Sequence, residues 1–213
     1  MIKKVLHWIT PPIIILVFRR IYYRTNNPNT LFDGSDKLFK DILTRKETKI
    51  YAEYGCGKST NWVLKNTSAK VFAVDTSLEW VKEVKKNNCK NLNIHYSDCG
   101  EVGAWGTPVD YSKRANFSDY TDYLWKQADK PNVVLVDGRF RVCCFLTSLK
   151  YADEGTQIIF DDYTNRPHYH IVEKYVPRKR ENGRQCLFIV PKNSEIDFEV
   201  LDRDIAAFRH VTA

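Results

Sequence analysis

Three features of this 213-residue sequence predict an α/β fold: a mostly parallel sheet with helices on both faces and an antiparallel hairpin at its C-terminal end. From residue 36 onward, short apolar runs alternate with helix-like stretches, the pattern of successive strand–helix–strand units. A glycine-rich turn follows the first of these runs, where the backbone must bend sharply before a helix begins. Near the C-terminus, Asn182-Gly183 separates two strand-like stretches and marks a hairpin.

In chain order, residues 1–35 form an N-terminal basic and apolar helical segment with a turn-rich linker, and residues 36–213 form the main domain. Lys3 and Lys4 precede an apolar stretch from Val5 to Phe18, and Arg19, Arg20 and Arg24 follow it. The stretch is shorter than the roughly 20 residues that cross a bilayer. Cations also stand where a signal peptide would carry its small-residue cleavage site. It suits either a peripheral place in a membrane interface, its cations on anionic headgroups, or a helix packed on the domain or at a homodimer contact.

Strands are predicted at 49–54, 70–74, 92–96, 132–137 and 157–161. The hairpin pairs a stretch around 171–177 with Cys186 to Val190. The helix after the second strand carries its own start signal, with Thr76 as cap, Glu79 three residues later, and Leu78, Val81 and Val84 at helical spacing.

Composition narrows the class without choosing a partner. The chain is 43% apolar and 28% charged, which excludes wholesale disorder, and its net charge of +7 favours anionic partners. Its six cysteines include no Cys-x-x-Cys pair and no zinc-like spacing with histidine. Cys143 and Cys144 read as buried thiols, which points to a reducing cytoplasm. The basic run at 178–184 flanks the hairpin turn, so no nucleic-acid partner is expected.

The strongest local signal is Glu53-Tyr54-Gly55-Cys56-Gly57-Lys58-Ser59-Thr60, where glycines allow close backbone approach to a ligand in front of a helix N-terminus. Asp75 ends the second strand 20 residues after Gly55, placed to accept both hydroxyl hydrogens of a ribose. A dinucleotide fingerprint needs glycine or alanine where Thr60 stands. A phosphate-binding P-loop needs glycine where Ala52 stands, although Gly57-Lys58-Ser59 and Asp161-Asp162 have its flavour. With the strand at 49–54, the loop becomes Glu-x-Gly-x-Gly.

In Glu53-x-Gly55-x-Gly57, Asp75 and Asp98, the chain resembles the class I S-adenosylmethionine-dependent methyltransferases over residues 36–192. The resemblance implies a Rossmann-like methyltransferase fold with a seven-stranded sheet. It also implies S-adenosylmethionine as cofactor, held by Glu53, Gly55, Gly57, Ser59, Thr60 and the ribose-binding Asp75, with Asp98 beside the adenine.

Asp137 ends the fourth strand and Asp161-Asp162 the fifth, at neighbouring carboxyl ends that border a ligand crevice. Three gathered carboxylates repel one another unless they are protonated or neutralised. An oxygen-only set suits magnesium or manganese, and ion pairs to Arg139 or Arg141 are the alternative. The layout is similar to metal-dependent sugar O-methyltransferases, which implies metal ligation by Asp137, Asp161 and Asp162.

The following loop, with Tyr163, Arg166, His168 and His170, suits a polyhydroxylated acceptor, and Arg139 and Arg141 suit its anionic groups. Asp137 and His168 are the candidate proton acceptors. The Val136–Val142 and Asp161–His170 segments also resemble methyltransferase-like proteins of bacterial polysaccharide gene sets. That implies a sugar or glycan acceptor, lipid-linked or free. A P-loop nucleotide-binding enzyme and a non-catalytic protein of the same fold are the competing expectations.

Overall fold

The computed structural model describes residues 30–212, so the expectations for residues 1–24 lie outside the described residues. Five apolar runs form the parallel strands β1 (Ile50–Tyr54), β2 (Lys70–Asp75), β3 (Leu92–Tyr96), β4 (Val133–Val136) and β5 (Gln157–Phe160). The hairpin strands are β6 (Arg180–Asn182) and β7 (Gln185–Ile189). The helices are α1 (Lys37–Leu43), α2 (Lys58–Asn66), α3 (Leu78–Lys85), α4 (Phe117–Asp122), α5 (Arg141–Tyr151) and α6 (Phe198–Phe208). The sheet has seven strands in the order β3-β2-β1-β4-β5-β7-β6. Neighbours are parallel as far as β5, and β7 runs antiparallel to both β5 and β6. This is the predicted fold class.

The strands are apolar on both faces because helices cover both faces. Tyr51, Val71, Val133, Leu135 and Ile159 pack under α1 and α2 against Phe39, Ile42 and Val63. The alternate residues Ala52, Tyr54, Phe72, Val74, Val134, Val136, Ile158 and Phe160 pack under α4, α5 and α6. The period-2 alternation of a strand thus puts Glu53 on the α2 side, beside Tyr51, and buries it completely.

Two predicted elements move. The cap of α3 is Ser77 rather than Thr76: the Ser77 hydroxyl accepts from the Trp80 N–H, while the Thr76 hydroxyl donates to the Gly106 carbonyl at 2.6 Å. The first hairpin strand lies at 180–182 rather than 171–177. Asn182 pairs with Gln185, leaving Gly183 and Arg184 as a two-residue turn with Gly183 at φ 59°. Residues 167–174 form a 3₁₀ helix begun by Pro167.

The chain runs outward from β1 to β3, then returns to place β4 on the other side of β1, so ligands are expected over the carboxyl ends of β1 and β4. Two glycines meet at that point. A methyl group on Gly138 would lie 1.9 Å from the Tyr120 hydroxyl and 2.7 Å from the Gly55 nitrogen. Gly55 itself has φ 92°, a region that side chains disfavour. Gly138→Ala is expected to cost about 3 kcal/mol or more, because backbone lies on one side of the intruding methyl and a buried tyrosine on the other. Urea unfolding monitored by circular dichroism checks this; an unchanged midpoint would contradict it.

Candidate functional site

The strand registers line up the chemistry-bearing residues. Asp75 pairs with Tyr96, and Tyr54 pairs with both Val74 and Val136. One residue further, the row reads Tyr96, Asp75, Gly55, Asp137, Asp161 and Gln185. Ladder hydrogen bonds continue into it, from Gly55 N–H to the Val74 carbonyl, Asp137 N–H to Tyr54, and Asp161 N–H to Val136. Residues 86 positions or more apart in the sequence, such as Asp75 and Asp161, therefore share one edge.

On the β1–β2 side, Glu53 organises the loop from beneath. Its carboxylate accepts from the Tyr51 hydroxyl at 2.7 Å, from the Ser59 hydroxyl at 2.8 Å, and from the Thr60 hydroxyl. The Thr60 oxygen in turn accepts the Gly57 N–H at 2.9 Å. Ser59 and Thr60 thus direct their hydroxyls inward, onto Glu53. Lys58 is exposed and reaches the Thr30 carbonyl at 3.3 Å, away from the loop. That is not the phosphate-facing placement of a P-loop lysine.

Asp75 lies above the loop. One carboxylate oxygen accepts the Cys56 N–H at 2.8 Å and the other the Ser77 N–H at 2.7 Å. Burial raises its pKa, against the lowering effect of these two bonds. Asp98, two residues past β3, accepts the Gly100 N–H and pairs with Lys113, which hold its carboxyl below the usual range. The segment after β3 folds back over this side. Val102 bridges Pro108, Gly103 donates to the Thr107 carbonyl, and Thr107 accepts from Arg139 Nη1 at 3.2 Å.

On the β4–β5 side, arginines neutralise the aspartates. Arg141, buried at the start of α5, donates to the carbonyls of Gly138 (3.0 Å), Asp161 (2.7 Å) and Asp137 (3.0 Å). It also pairs with the Asp137 and Asp162 carboxylates at 3.0 and 3.4 Å. Asp162, in the left-handed region at φ 58°, additionally pairs with Arg166 at 2.7 Å and with Arg184. Burial, and then the charges of Asp137 and Asp162, push the Asp161 pKa well up.

This donor set does not fit a magnesium ion. Guanidinium groups take one oxygen of Asp137 and both oxygens of Asp162, which a metal would need. Among the described residues no group of three or more His, Cys, Asp or Glu side chains is placed to hold a metal. The expected metal set of Asp137, Asp161 and Asp162 is thus corrected to an arginine-clamped acid cluster. Sequence reasoning named the ion pair as its alternative. It missed Arg184, whose place beside Asp162 depends on the hairpin register.

The loop after β5 divides. Tyr163 is buried, with its hydroxyl donating to Glu173 at 2.8 Å. His170 accepts from Arg178 at Nδ1 and so donates from Nε2 to the Tyr163 carbonyl, a pairing that fixes its neutral tautomer. His168 is exposed, with its ring 4.3 Å from that of Tyr169. Asp137 is the more open of the cluster's carboxylates, its side chain 32% exposed against 7% for Asp162.

Burial raises the pKa of Glu53 from the usual 4.5 to about 7, partly opposed by its three hydroxyl donors. The folded state therefore holds this proton more tightly than the unfolded chain. The associated stability is present in full below pH 4.5 and is lost as pH rises to about 7, on the order of 3 kcal/mol. Glu53→Gln mimics the protonated acid, so its stability relative to wild type is expected to rise by about that amount across the interval. Parallel pH–stability curves for the two proteins would contradict this.

No family profile matches the chain, and no curated protein does. Among solved structures, a methyltransferase-like protein from Silicibacter pomeroyi is 28% identical, with a TM-score of 0.73 over 85% of this chain and 97% of that one. More distant are an RNA methyltransferase from Salinibacter ruber, solved with S-adenosylhomocysteine, and the N-methyltransferase NodS from Bradyrhizobium japonicum, solved with the same compound. They show 11% and 10% identity and TM-scores of 0.48 and 0.47, over 75% and 79% of this chain and 94% of each of theirs. The last two are too distant to carry weight, but strand order, crevice position and the Silicibacter likeness agree: the chain has the Rossmann-like methyltransferase fold.

Proposed function

We propose that the chain is an S-adenosylmethionine-dependent O-methyltransferase whose acceptor is a sugar hydroxyl of a glycan or polysaccharide precursor. The observation that carries this reading is the carboxyl-edge row, in which Asp75 and Asp137 flank the paired glycines Gly55 and Gly138. A side chain at Gly55 would press on the Gly138 backbone at 3.1 Å and push apart the strand ends over which a nucleoside is expected to lie. Bound there, S-adenosylmethionine supplies an electrophilic methyl group on a sulfonium centre.

The chain's own contribution is binding, orientation and proton transfer. Asp75, already oriented by two backbone N–H groups, has lone pairs left for ribose hydroxyls. Asp137 is held by Arg141 through one oxygen and stands a third exposed at the crevice. Burial raises its pKa, which makes it a stronger proton acceptor for a hydroxyl than an exposed aspartate. His168, exposed on the neighbouring turn, is the second candidate base. Arg166, which donates to Asp162 and to the Tyr169 hydroxyl, borders the acceptor side with it. Among the described residues no helix is long and apolar enough to cross a membrane; a peripheral contact through residues 1–24 remains part of the proposal.

Titration calorimetry tests the donor site. S-adenosylhomocysteine is expected to bind in the micromolar range, and Asp75→Ala to weaken it by about 100-fold, the value of a bidentate charge-assisted contact. Binding of Mg-ATP in place of S-adenosylhomocysteine would replace this reading with a P-loop enzyme. Methyl transfer is expected to proceed unchanged in EDTA, because arginines already neutralise the acid cluster. Loss of turnover restored by magnesium would show that a metal displaces them.

A further inference from the structure

Most arginines around the crevice have an acidic partner: Arg141 with Asp137 and Asp162, Arg166 and Arg184 with Asp162, and Arg178 with Glu173 and Glu181. Arg139 does not. Its Nη1 donates to the neutral Thr107 hydroxyl at 3.2 Å, and its Nε is buried without a partner among the described residues. Its backbone N–H is held by the Tyr120 hydroxyl at 3.1 Å, next to the Gly138–Gly55 contact. The guanidinium thus stands between the end of β4 and the Val102–Pro108 segment, near enough to Asp75 and Asp137 for their charges to act on it without a close ion pair. Burial, and then the charge of Arg141, push its pKa down. A half-buried guanidinium with an unpartnered Nε and no close ion pair is costly, and an anionic oxygen that accepts from it removes part of that cost.

We infer that the Arg139 guanidinium receives an anionic oxygen group, carboxylate or phosphate, of a ligand lying over the carboxyl ends of β1 and β4. Two molecules can bring such a group: the donor, through its amino-acid carboxylate, or an acceptor that carries a phosphate or carboxylate near the methylated hydroxyl. The donor arm rests on the methyl-donor reading above; the assignment of Arg139 itself does not.

The test is calorimetry on the full chain and on Arg139→Gln. The probes are S-adenosylhomocysteine, 5′-methylthioadenosine (which lacks the amino-acid portion), and inorganic phosphate added to protein saturated with S-adenosylhomocysteine. If the donor supplies the anion, Arg139→Gln loses about 10- to 100-fold in affinity for S-adenosylhomocysteine and none for 5′-methylthioadenosine. If the acceptor supplies it, both nucleosides bind unchanged and the variant loses phosphate binding. Unchanged affinity for all three probes overturns the proposal. Should neither nucleoside bind the wild type while phosphate binds through Arg139, the methyl-donor reading fails and the anion site stands. If Arg139→Gln does not fold, Arg139→Lys serves in the same titrations. It keeps the charge without the planar fork and is expected to retain a weakened response.

Discussion

The backbone contact between Gly55 and Gly138 is the constraint on which the rest of the crevice depends. β1 and β4 are neighbours in the sheet but 79 residues apart at Tyr54 and Val133, and their ends close to van der Waals distance only because neither glycine has a side chain. That approach sets the spacing between Asp75 on one side and Asp137 on the other. It also leaves the Tyr120 hydroxyl room to take the Arg139 N–H, which aims the segment that becomes α5. Packing on both faces then locks the row in place, since a one-residue slip of any strand would turn its core residues away from their helices.

Electrostatics at this edge is handled by division of labour. Glu53 is buried beneath the loop and ties Ser59 and Thr60 to β1, so the loop keeps its shape without a ligand. Arg141 joins the ends of β4 and β5 through three carbonyls and sets its charge between the Asp137 and Asp162 carboxylates. A lone buried carboxylate would be prohibitive; three acids and three guanidinium groups within reach of one another are not.

Much of this was legible in the sequence. The five parallel strands were readable because runs such as Val133–Val136 are apolar on both faces, and the glycine loop because its spacing to Asp75 matches a nucleoside site. Less legible was anything decided by register or by a neighbour remote in sequence. Whether Asp162 meets a metal or a guanidinium depends on Arg184, which the hairpin carries to it from 22 residues away. Ser59 and Thr60 follow a glycine motif and so read as ligand contacts. Only the burial of Glu53, a consequence of its parity with Tyr51 along β1, shows why their hydroxyls turn inward. The hairpin strand misplaced to 171–177 shares its error with most short apolar runs, in which period alone does not separate a 3₁₀ turn from a strand.

The hairpin turn also decides how the domain is moored. A methyl group on Gly183 would meet Ser35 at 3.3 Å, Arg184 pairs with Asp33, and Lys58, at the start of α2, holds the Thr30 carbonyl. The chain therefore enters the domain along the same edge that carries the crevice, not from its far side. Residues 33–35 thus share the hairpin turn with the acid cluster, and a change in the length of that turn would disturb the approach to α1 and the clamp on Asp162 together.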